Sequence, residues 1–455
     1  MNVIDCFKAY DVRGRVPQEL NTDIAYRIGR AFSLLLDARK TVVGHDIRLT
    51  SPELTDALVA GLTDGGTDVI HIGQCGTEEV YFATFYLGIC GGICVTASHN
   101  PKDYNGMKFV EQNAKPLSGK HNLKGLQRLV ALDQFSDVAI KGKLEHKCIA
   151  SHYTHHLLSY IAPQQLAKLK IVVNAGNGGA GAVVDRLESH LPFEFIKLNH
   201  QADGNFPKGV PNPLLPENRL ETSQAIKDHQ ADLGIAWDGD FDRCFFFDEN
   251  GDFIEGYYLV GLLAEMMLAK HPKSTIVHDP RLYWSTKDIV SQAGGNTIQS
   301  PTGHAYIKEC MRANDAVYGG EMSAHHYFRD FAYCDNGNIP WLLITELLSK
   351  TGKSMSTLIK EQQINYPCSG EINNTVKNAD KIIKDIEQHY RHRAVKIENT
   401  DGLSMSFERW RFNVRCSNTE PLLRLNVESK ADTAMMQEKT NELLAMISAD
   451  DIIKV

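Results

Sequence analysis

The segment Gly92-Ile-Cys-Val95-Thr96-Ala-Ser98-His99-Asn100-Pro101 joins a short apolar strand to a polar loop that is closed by proline. Strands without a polar side are typical of parallel sheets that are buried on both faces. Open α/β sheets usually hold ligands at the carboxyl ends of such strands. The segment therefore predicts an α/β fold with a working loop at residues 96–101. Two further strands lead into polar loops in the same way, Leu233-Gly-Ile-Ala-Trp237 into Asp238 and Ala316-Val-Tyr318 into Glu321.

An earlier apolar strand rich in β-branched residues precedes each of these three. Amphipathic helical segments lie between the strands, which predicts three α/β units with largely parallel sheets. The earlier strands are Thr41–Asp46, Lys170–Asn174 and Thr275–Asp279, and the helical segments include residues 21–36, 53–64, 217–229 and 257–269.

The carboxyl-terminal part of the chain is predicted to form an α+β domain. In its strand at 409–415, apolar residues alternate with Arg409, Arg411 and Arg415, which predicts a sheet with one buried face. The fold class is therefore three similar mixed α/β domains plus a smaller C-terminal α+β domain. The other expected elements of the last domain are helices at 380–389 and 431–447 and strands at 403–407 and 422–428, and the domain boundaries are expected at 1–148, 149–250, 251–364 and 365–455.

Length and composition narrow the function classes. The chain has 455 residues, more than one hydrophobic core usually serves, and its 43% hydrophobic and 23% charged residues are typical of a soluble globular enzyme. A net charge of −8 without a basic cluster argues against nucleic acid, and the apolar span 257–269 is too short for a bilayer. With no signal-like start and no CxxC among ten scattered cysteines, we expect a cytoplasmic protein with reduced thiols.

The loop at 96–101 and the segment Asp238-Gly-Asp240-Phe-Asp242 offer complementary chemistry. Alternate side chains of an extended backbone point the same way, so the three aspartates are able to converge on one hard cation. A phosphorylated Ser98 would supply a fourth oxygen ligand, and Mg²⁺ favours mixed carboxylate, phosphate and water ligation. The pair predicts phosphoryl transfer through a phosphoserine.

Both segments also have simpler interpretations. Ser98 could belong to an ordinary polar turn, because Ser, Asn and Pro are common turn residues. The aspartates could form a solvated acidic turn. An EF-hand fits the spacing as far as Glu249, but Arg243 stands where its sharp turn needs glycine, and the apolar run 244–247 indicates a strand instead.

Two neighbours of the serine bear on its chemistry. Lys108, in a predicted strand at 107–110, could neutralise a phosphoryl group or move a proton. His99 is adjacent to Ser98 in sequence, which is poor geometry for a base that acts on the Ser98 hydroxyl. The chain has no G-x-S-x-G elbow, so a serine hydrolase is not expected.

Two further loops carry candidate binding groups. After a glycine pair, Glu321, Ser323 and His325 alternate, and a carboxylate and a hydroxyl on one face suit vicinal sugar hydroxyls. His304 could add a contact, although a lone histidine is more often structural. Arg415 ends a strand and is followed by turn residues, a combination that suits a phosphate cradle and equally suits a β-turn with a solvated arginine.

A glycine-rich segment, Gly176-Asn-Gly178-Gly-Ala-Gly181, matches the dinucleotide pattern, with Glu194 at a plausible distance. Alone this match is weak, because glycines here also permit tight packing of a helix on a strand. A nucleotide-dependent oxidoreductase and a non-catalytic sugar-phosphate binder are therefore kept as alternatives of a different class.

Taken together, the four loops and Tyr10-Asp-Val-Arg13-Gly14 resemble the α-D-phosphohexomutase superfamily, most closely its bacterial phosphomannomutase branch. The resemblance covers essentially the whole chain, in order. It implies four domains around a central cleft, the first three alike and the last smaller. One departure concerns Arg281, because relatives often carry lysine after the strand at 275–279.

The resemblance also implies roles for single residues. Ser98 is expected to carry the phosphoryl group and, with three aspartates, to bind Mg²⁺; Lys108 or His325 would exchange the proton. Glu321 and Ser323 would bind the sugar's O3 and O4. The expected catalytic set is Ser98, Lys108, His99, Arg13 and His325, the metal set is Ser98, Asp238, Asp240 and Asp242, and the substrate set is Arg243, His304, Glu321, Ser323, His325, Arg415, Ser417, Asn418 and Thr419.

The reaction implied is the interconversion of mannose 6-phosphate and mannose 1-phosphate through a hexose 1,6-bisphosphate intermediate, which also serves as activator. It would feed GDP-mannose and surface polysaccharide synthesis. Groups that read O3 and O4 cannot separate sugars that differ at C2, so a phosphoglucomutase or a dual-specificity enzyme is the alternative. Expected partners are small hexose phosphates, with no nucleic acid and no membrane, and the chain is expected as a monomer or small homo-oligomer.

Overall fold

The structure is a computed structural model that describes residues 4–117, 122–416 and 422–449. Within these residues, contacts divide the chain into two units. The first unit takes residues up to 253 together with 325–354, and the second takes 254–324 together with the residues from 355 onward. No helix in the described ranges combines the length and the apolar character needed to cross a bilayer.

The amino-terminal part of the first unit is a mixed sheet packed with helices. Its strands are β1 (Val12–Arg15), β2 (Lys40–His45), β3 (Asp68–Gln74), β4 (Gly91–Val95), β5 (Tyr104–Glu111), β6 (Lys115–Pro116) and β7 (Leu144–His146), and its helices are α1 (Thr22–Leu36), α2 (Ser51–Asp64), α3 (Thr77–Tyr86) and α4 (Asn122–Leu132). The strand order is β1-β5-β4-β2-β3-β7, with β6 on β5. Because β2 and β4 are parallel neighbours, the loops after His45 and Val95 lie side by side.

Helix α1 shows how this part folds. The Asn21 side chain caps it by accepting a hydrogen bond from the Ile24 N–H. Ala25, Ile28 and Phe32 then recur at helical spacing and are fully buried in one core cluster with the sheet. The period of 3.6 residues thus fixes which face of α1 packs on the sheet.

The second part of this unit is an open sheet with order β12-β11-β10-β8-β9. Its elements are β8 (Lys170–Asn174), β9 (Glu194–Leu198), β10 (Leu233–Trp237), β11 (Cys244–Phe247), β12 (Phe253–Ile254), α5 (Ala150–Leu158), α6 (Ala180–Glu188) and α7 (Leu220–His229). Strand β8 pairs in parallel with β9 and β10, and β11 pairs antiparallel with β10. The acidic loop therefore connects two fully buried antiparallel neighbours.

The next stretch of chain contributes to both units. Its elements are β13 (Thr275–His278), β14 (Asn296–Gln299), β15 (Tyr318–Gly320), β16 (His326–Phe328), β17 (Cys334–Asp335), α8 (Gly256–Lys270), α9 (Trp284–Gln292), α10 (His304–Ala313), α11 (Ile339–Thr351) and α12 (Met355–Asn365). Strand β13 pairs in parallel with β14 and β15, and β16 pairs antiparallel with β17. The strand predicted at 316–318 starts later, because its ladder with β13 begins at Tyr318.

The carboxyl-terminal domain is an antiparallel sheet with order β18-β22-β21-β20-β19. Its elements are β18 (Ile372–Thr375), β19 (Lys396–Glu398), β20 (Leu403–Ser406), β21 (Trp410–Cys416), β22 (Leu422–Ser429), α13 (Ala379–Tyr390) and α14 (Thr433–Ala449). Phe412, Val414 and Leu425 form its core with residues of both helices. The predicted class, three mixed α/β domains followed by a smaller α+β domain, is confirmed.

The prediction that only one face of this sheet is buried is wrong for β21. Arg411 is fully buried, and its Nη1 donates to Glu428 Oε1 at 2.9 Å and to the carbonyl of Arg281. Its Nη2 donates to the Pro280 carbonyl at 2.9 Å. The second face is thus buried with its charges paired, and alternation alone does not distinguish that case from a solvated face.

Candidate active site

Ser98 lies where the sequence predicts the working loop, just after β4. It is buried and has a left-handed backbone with φ of 48°. Non-glycine residues adopt this conformation when the surrounding structure imposes it, often at functional sites. The Ser98 Oγ donates to Asp238 Oδ2 at 2.9 Å, so the hydroxyl and the acidic loop meet.

The backbone of the acidic loop passes very close to that of the serine loop. A Cβ on Gly239 would lie 2.5 Å from the Ser98 carbonyl oxygen, so only glycine fits there. This approach allows Asp238 to reach Ser98, and it explains the glycine between the first two aspartates.

Asp238, Asp240 and Asp242 form a group that fits a divalent cation. All three are buried, and one carboxylate oxygen from each lies within 4.8 Å of the others. Asp240 Oδ1 and Asp242 Oδ1 are buried and accept no hydrogen bond from the described residues. Buried polar atoms normally have partners, and hard oxygen ligands of this kind suit Mg²⁺. The three carboxylates and Ser98 Oγ are the atoms that would hold it.

Lys108 lies on β5 and bridges two of the aspartates. Its Nζ donates to Asp240 Oδ2 at 2.7 Å and also to Asp242 Oδ2. Burial acts to lower the pKa of Lys108, but the two carboxylates outweigh burial and raise this pKa above its ordinary value. Lys108 is therefore an ammonium group at neutral pH, which offers hydrogen bonds and positive charge and holds its proton.

His99 and Arg243 complete the surroundings of Ser98. The Nδ1 of His99 lies 3.1 Å from Ser98 Oγ, within hydrogen-bond reach of the hydroxyl. Arg243 Nη2 donates to His99 Nδ1 at 2.7 Å, while Arg243 Nε and Nη2 both donate to Asp238 Oδ2. Burial and then the Arg243 charge lower the pKa of His99 well below its ordinary value. His99 is therefore neutral, with its proton on Nε2.

Arg13 and His325 border the same group of side chains. Arg13 Nη1 donates to Asn100 Oδ1 at 3.0 Å, so its guanidinium reaches the serine loop from β1. His325 is bridged through its backbone to Arg243, and its Nε2 lies 3.9 Å from Asp242 Oδ1. The first unit thus assembles every residue of the predicted catalytic set.

Arg48 was not predicted from the sequence, although its side chain holds the backbone of the serine loop. Its guanidinium is buried and donates to the backbone carbonyls of Ser98 at 2.9 Å, Asn100 at 2.6 Å, Pro101 at 2.7 Å and Tyr104 at 2.9 Å. The only hint was its position just beyond the polar end of β2, the neighbour of β4. Four bonds from one planar group fix the course of the loop.

Thr77 and Glu78, at the start of α3, were also missed. Thr77 Oγ1 donates to Asp240 Oδ2 at 2.6 Å, which leaves Oδ1 for another partner. Glu78 is buried and accepts from Gly337 N at 2.7 Å and from Asn338 Nδ2 at 2.6 Å. The Gly337 carbonyl in turn accepts from the Trp237 indole at 2.8 Å, next to the acidic loop. No sequence signal marks such contacts between distant segments.

In the second unit, two of the predicted sugar-binding residues, Glu321 and Ser323, lie beside Arg281. Glu321 Oε1 accepts from the Gly303 N–H at 2.9 Å, immediately before His304, which begins α10. Ser323 Oγ accepts from Arg281 Nη2 at 3.2 Å. Arg281 thus lies beside both Glu321 and Ser323.

Arg415 lies at the end of β21, in the same unit. It is buried, and its Nη2 donates to Glu371 Oε2 at 3.1 Å. The Nη1 of Arg281 donates to the same oxygen at 3.2 Å. Ser417, Asn418 and Thr419, the other members of the predicted phosphate loop, lie outside the described residues.

The glycine-rich segment after β8 has no free phosphate cradle. The Gly176 N–H donates to Asn174 Oδ1, the Asn177 N–H to the Asn199 carbonyl, and the Gly178 N–H to the Ala175 carbonyl. A dinucleotide site would need such N–H groups for the pyrophosphate. This geometry argues against the oxidoreductase alternative.

Family models match consecutive parts of the chain. Their descriptions are Phosphoglucomutase/phosphomannomutase, alpha/beta/alpha domain I at residues 5–134, domain II at 151–251, domain III at 255–366, and Phosphoglucomutase/phosphomannomutase, C-terminal domain at 371–445. The chain belongs to the phosphoglucomutase/phosphomannomutase family. Membership confirms the resemblance drawn from the loops of the sequence.

Individual relatives within this family are similar over almost their full length. The phosphomannomutase of Vibrio cholerae serotype O1 is 56% identical, and the alignment covers 99% of this chain and 100% of that protein. A protein of Xanthomonas campestris pv. campestris named phosphohexose mutases is 55% identical, over 97% of this chain and 98% of that protein. The crystal structure of a phosphoglucomutase/phosphomannomutase family protein from Burkholderia thailandensis superposes with a TM-score of 0.87 at 31% identity, covering 97% of each chain.

Proposed function

We propose that this chain is a phosphomannomutase, an isomerase that interconverts mannose 6-phosphate and mannose 1-phosphate through phospho-Ser98. The observation that carries the proposal is the contact of Ser98 Oγ with Asp238 at 2.9 Å, beside two carboxylates that have unpartnered buried oxygens. A hydroxyl in this setting is suited to carry a phosphoryl group. The neighbouring aspartates would bind the cation that balances the charge of the phosphoryl group.

The first half-reaction transfers the phosphoryl group from Ser98 to the free hydroxyl of a hexose phosphate. A hexose 1,6-bisphosphate forms, and the second half-reaction returns the other phosphoryl group to Ser98. Phosphoserine carries about −1.5 to −2 charge at pH 7, so positive groups must balance it. Lys108 and Arg13 supply fixed positive charge for this purpose. Mg²⁺ held by the three aspartates would withdraw charge from the phosphoryl oxygens.

Proton transfer to and from the sugar hydroxyl needs a group that titrates near neutral pH. Lys108 keeps its proton while it bridges the two aspartates, and Arg243 donates to the Nδ1 of His99. His325, beside Asp242, is therefore our choice as proton acceptor and donor. The histidine ring is suited to this exchange because its ordinary pKa lies close to neutrality.

Recognition of the substrate is assigned to the second unit. We propose that Glu321 and Ser323 accept or donate hydrogen bonds to O3 and O4 of the sugar, with His304 nearby. Arg415 would bind the phosphate that is not reacting, together with Ser417, Asn418 and Thr419. The presence of Arg281 beside Ser323 adds a further cation to this group.

Mannose is chosen as the substrate because relatives at 54–56% identity carry the name phosphomannomutase. Such an enzyme would supply mannose 1-phosphate for GDP-mannose and surface polysaccharides. The Xanthomonas relative named phosphohexose mutases favours a dual-specificity enzyme as the second candidate. We further propose domain boundaries at 1–148, 149–250, 251–364 and 365–455, and action in the cytoplasm on small hexose phosphates by a monomer or small homo-oligomer.

Replacement of the proposed nucleophile tests this function. Ser98→Ala is expected to remove nearly all turnover of mannose 1-phosphate and glucose 1-phosphate, measured in parallel with Mg²⁺ and hexose 1,6-bisphosphate present. Ser151→Ala, at an exposed serine of α5, is the matched control and is expected to behave as the unmodified protein. Near-normal activity in Ser98→Ala would refute the phosphoserine role. If the unmodified protein is folded but shows no Mg²⁺-dependent isomerisation, the alternative of a non-catalytic sugar-phosphate binder is favoured.

A further inference from the structure

Glu371, the residue before β18, lies at the meeting point of three arginines. Its Oε2 accepts from Arg281 Nη1 at 3.2 Å and from Arg415 Nη2 at 3.1 Å. Its Oε1 lies 3.5 Å from Arg424 Nη1. A carboxylate that receives guanidinium groups from three directions has the surroundings expected of a bound phosphate.

The sheet explains why a negative charge is held at this point. Arg415 on β21 and Arg424 on β22 are directly opposite each other in the antiparallel ladder. Like charges in opposite positions repel, and the Glu371 carboxylate between them offsets that repulsion. Two other carboxylates lie near these arginines. Asp279 accepts hydrogen bonds from Arg281 Nε and Nη2, and Asp401 lies 3.9 Å from Arg415 Nη1.

Arg415 retains a donor that the carboxylate does not use. Its Nε is buried and has no hydrogen-bond partner among the residues that the structure describes. The Arg415 side chain is only 3% exposed, whereas that of Glu371 is 20% exposed. An anion with more oxygens than a carboxylate would satisfy the remaining donor.

Because Glu371 is negatively charged, it competes with such an anion for the three arginines. Burial acts to raise the pKa of Glu371, but Arg281, Arg415 and Arg424 outweigh burial and hold this pKa below its ordinary value. The side chain is therefore ionised at neutral pH. A phosphate that binds the same donors, Arg281 Nη1 and Arg415 Nη2, would have to displace it.

We propose that Glu371 competes with the non-reacting phosphate for these arginines and thereby lowers their affinity for that phosphate. The proposal rests on the proposed function, because the bisphosphate intermediate must release one phosphate and present the other. Glu371 takes the arginines whenever the phosphate leaves, so that release does not leave buried positive charges unpaired. It acts through the arginines and is a positioning residue.

Binding of inorganic phosphate to the full-length protein tests this directly, by titration calorimetry and by the shift in thermal midpoint. Glu371→Gln is expected to bind phosphate about tenfold more tightly, because the competing occupant is lost. The same variant is expected to show a lower KM and a lower kcat for mannose 1-phosphate, since the turn of the intermediate becomes slower. Glu387→Gln, at an exposed helical pair with Arg391, is the matched control and leaves both unchanged.

A second pair of variants locates the effect. Arg415→Met combined with Glu371→Gln is expected to lose the gain in phosphate affinity, and Glu371→Ala serves if the glutamine variant does not fold. Weaker or unchanged phosphate binding in Glu371→Gln would overturn the proposal, because Glu371 would then only hold the arginines in place. The phosphate titration does not require turnover, so its outcome is separate from failure of the proposed function.

Discussion

Arg48 holds the Ser98 loop in position through the four hydrogen bonds of its side chain. Its guanidinium satisfies four backbone carbonyls of the segment from Ser98 to Tyr104. A buried carbonyl that loses its donor destabilises the folded state by about 1–3 kcal/mol. Without the Arg48 donors, the loop is therefore expected to rearrange so that these carbonyls find other partners. Ser98 is therefore expected to shift in an Arg48 variant that still folds.

Replacement of this side chain by methionine tests that dependence. Arg48→Met is expected to lower kcat about 100-fold or more with a smaller change in KM, because a displacement of about 1 Å has such an effect on transfer chemistry. Arg219→Met is the control, since Arg219 also donates to two backbone carbonyls, of Pro213 and Leu214, away from Ser98. Equal losses of kcat and thermal stability in both variants would contradict a specific role for Arg48.

At the scale of elements, strand and helix types were predictable where one physical signal dominated. Strands β8 and β10 coincide with their predicted limits, because continuous β-branched and apolar residues require burial on both sides. The alternation in β21 led to a wrong prediction of a single buried face, since Arg411 is buried against Glu428 and backbone carbonyls. Ion pairing with residues distant in sequence reversed the inference drawn from local pattern.

Strand β16 carries a titratable group whose effect on stability has a definite sign. Burial lowers the pKa of His326 from 6.5 to about 3, so the folded chain keeps this ring neutral. Below about pH 6.5 the unfolded chain takes up a proton that the folded chain refuses, and stability falls by about 1 kcal/mol per pH unit. The contribution of neutral His326 is complete above that pH and is lost as the pH falls.

His326→Gln is therefore expected to flatten the acid side of the stability profile. The thermal midpoint of the variant should fall less steeply than that of the unmodified protein between about pH 6.5 and about pH 4. His190→Gln, at an exposed histidine, should leave the slope as it is. An unchanged slope in His326→Gln would mean that the ring is protonated in the folded chain.

For the whole molecule, a cation is expected to contribute to stability as well as to chemistry. Three buried carboxylates converge, and two of their oxygens have no partner among the described residues. A ligand that binds only the folded state stabilises it by about 3 kcal/mol at 100 times its Kd. Mg²⁺ should therefore raise the thermal midpoint, and chelation should lower it.

Asp240→Asn provides the comparison for that measurement. The substitution removes one charge from the group, and the Mg²⁺-dependent shift is expected to shrink to a small part of its original size. Asp228→Asn, at an exposed position of α7, should retain the full shift. If chelation leaves the midpoint of the unmodified protein unchanged, the aspartates do not form a cation site.

The site was predictable from sequence as far as its chemistry lies in continuous segments. Ser98 and the aspartates can be identified from their position in loops and their spacing, and the structure brings Ser98 and Asp238 within hydrogen-bond distance. Arg48, Thr77 and Glu371 carry no such pattern, because each acts through contacts with segments far away in the chain. Only the fold determines which distant carbonyls, carboxylates or guanidinium groups they meet.

Intact-mass analysis with sequencing of the modified peptide determines whether Ser98 carries a phosphoryl group during turnover. The protein is incubated with hexose 1,6-bisphosphate and Mg²⁺, and then with excess mannose 1-phosphate. We expect the added mass of one phosphoryl group, located on Ser98 and transferable to the sugar phosphate. Full activity with an unmodified Ser98 at every stage, or a phosphoryl group on another residue, would show that Ser98 is not the phosphoryl carrier.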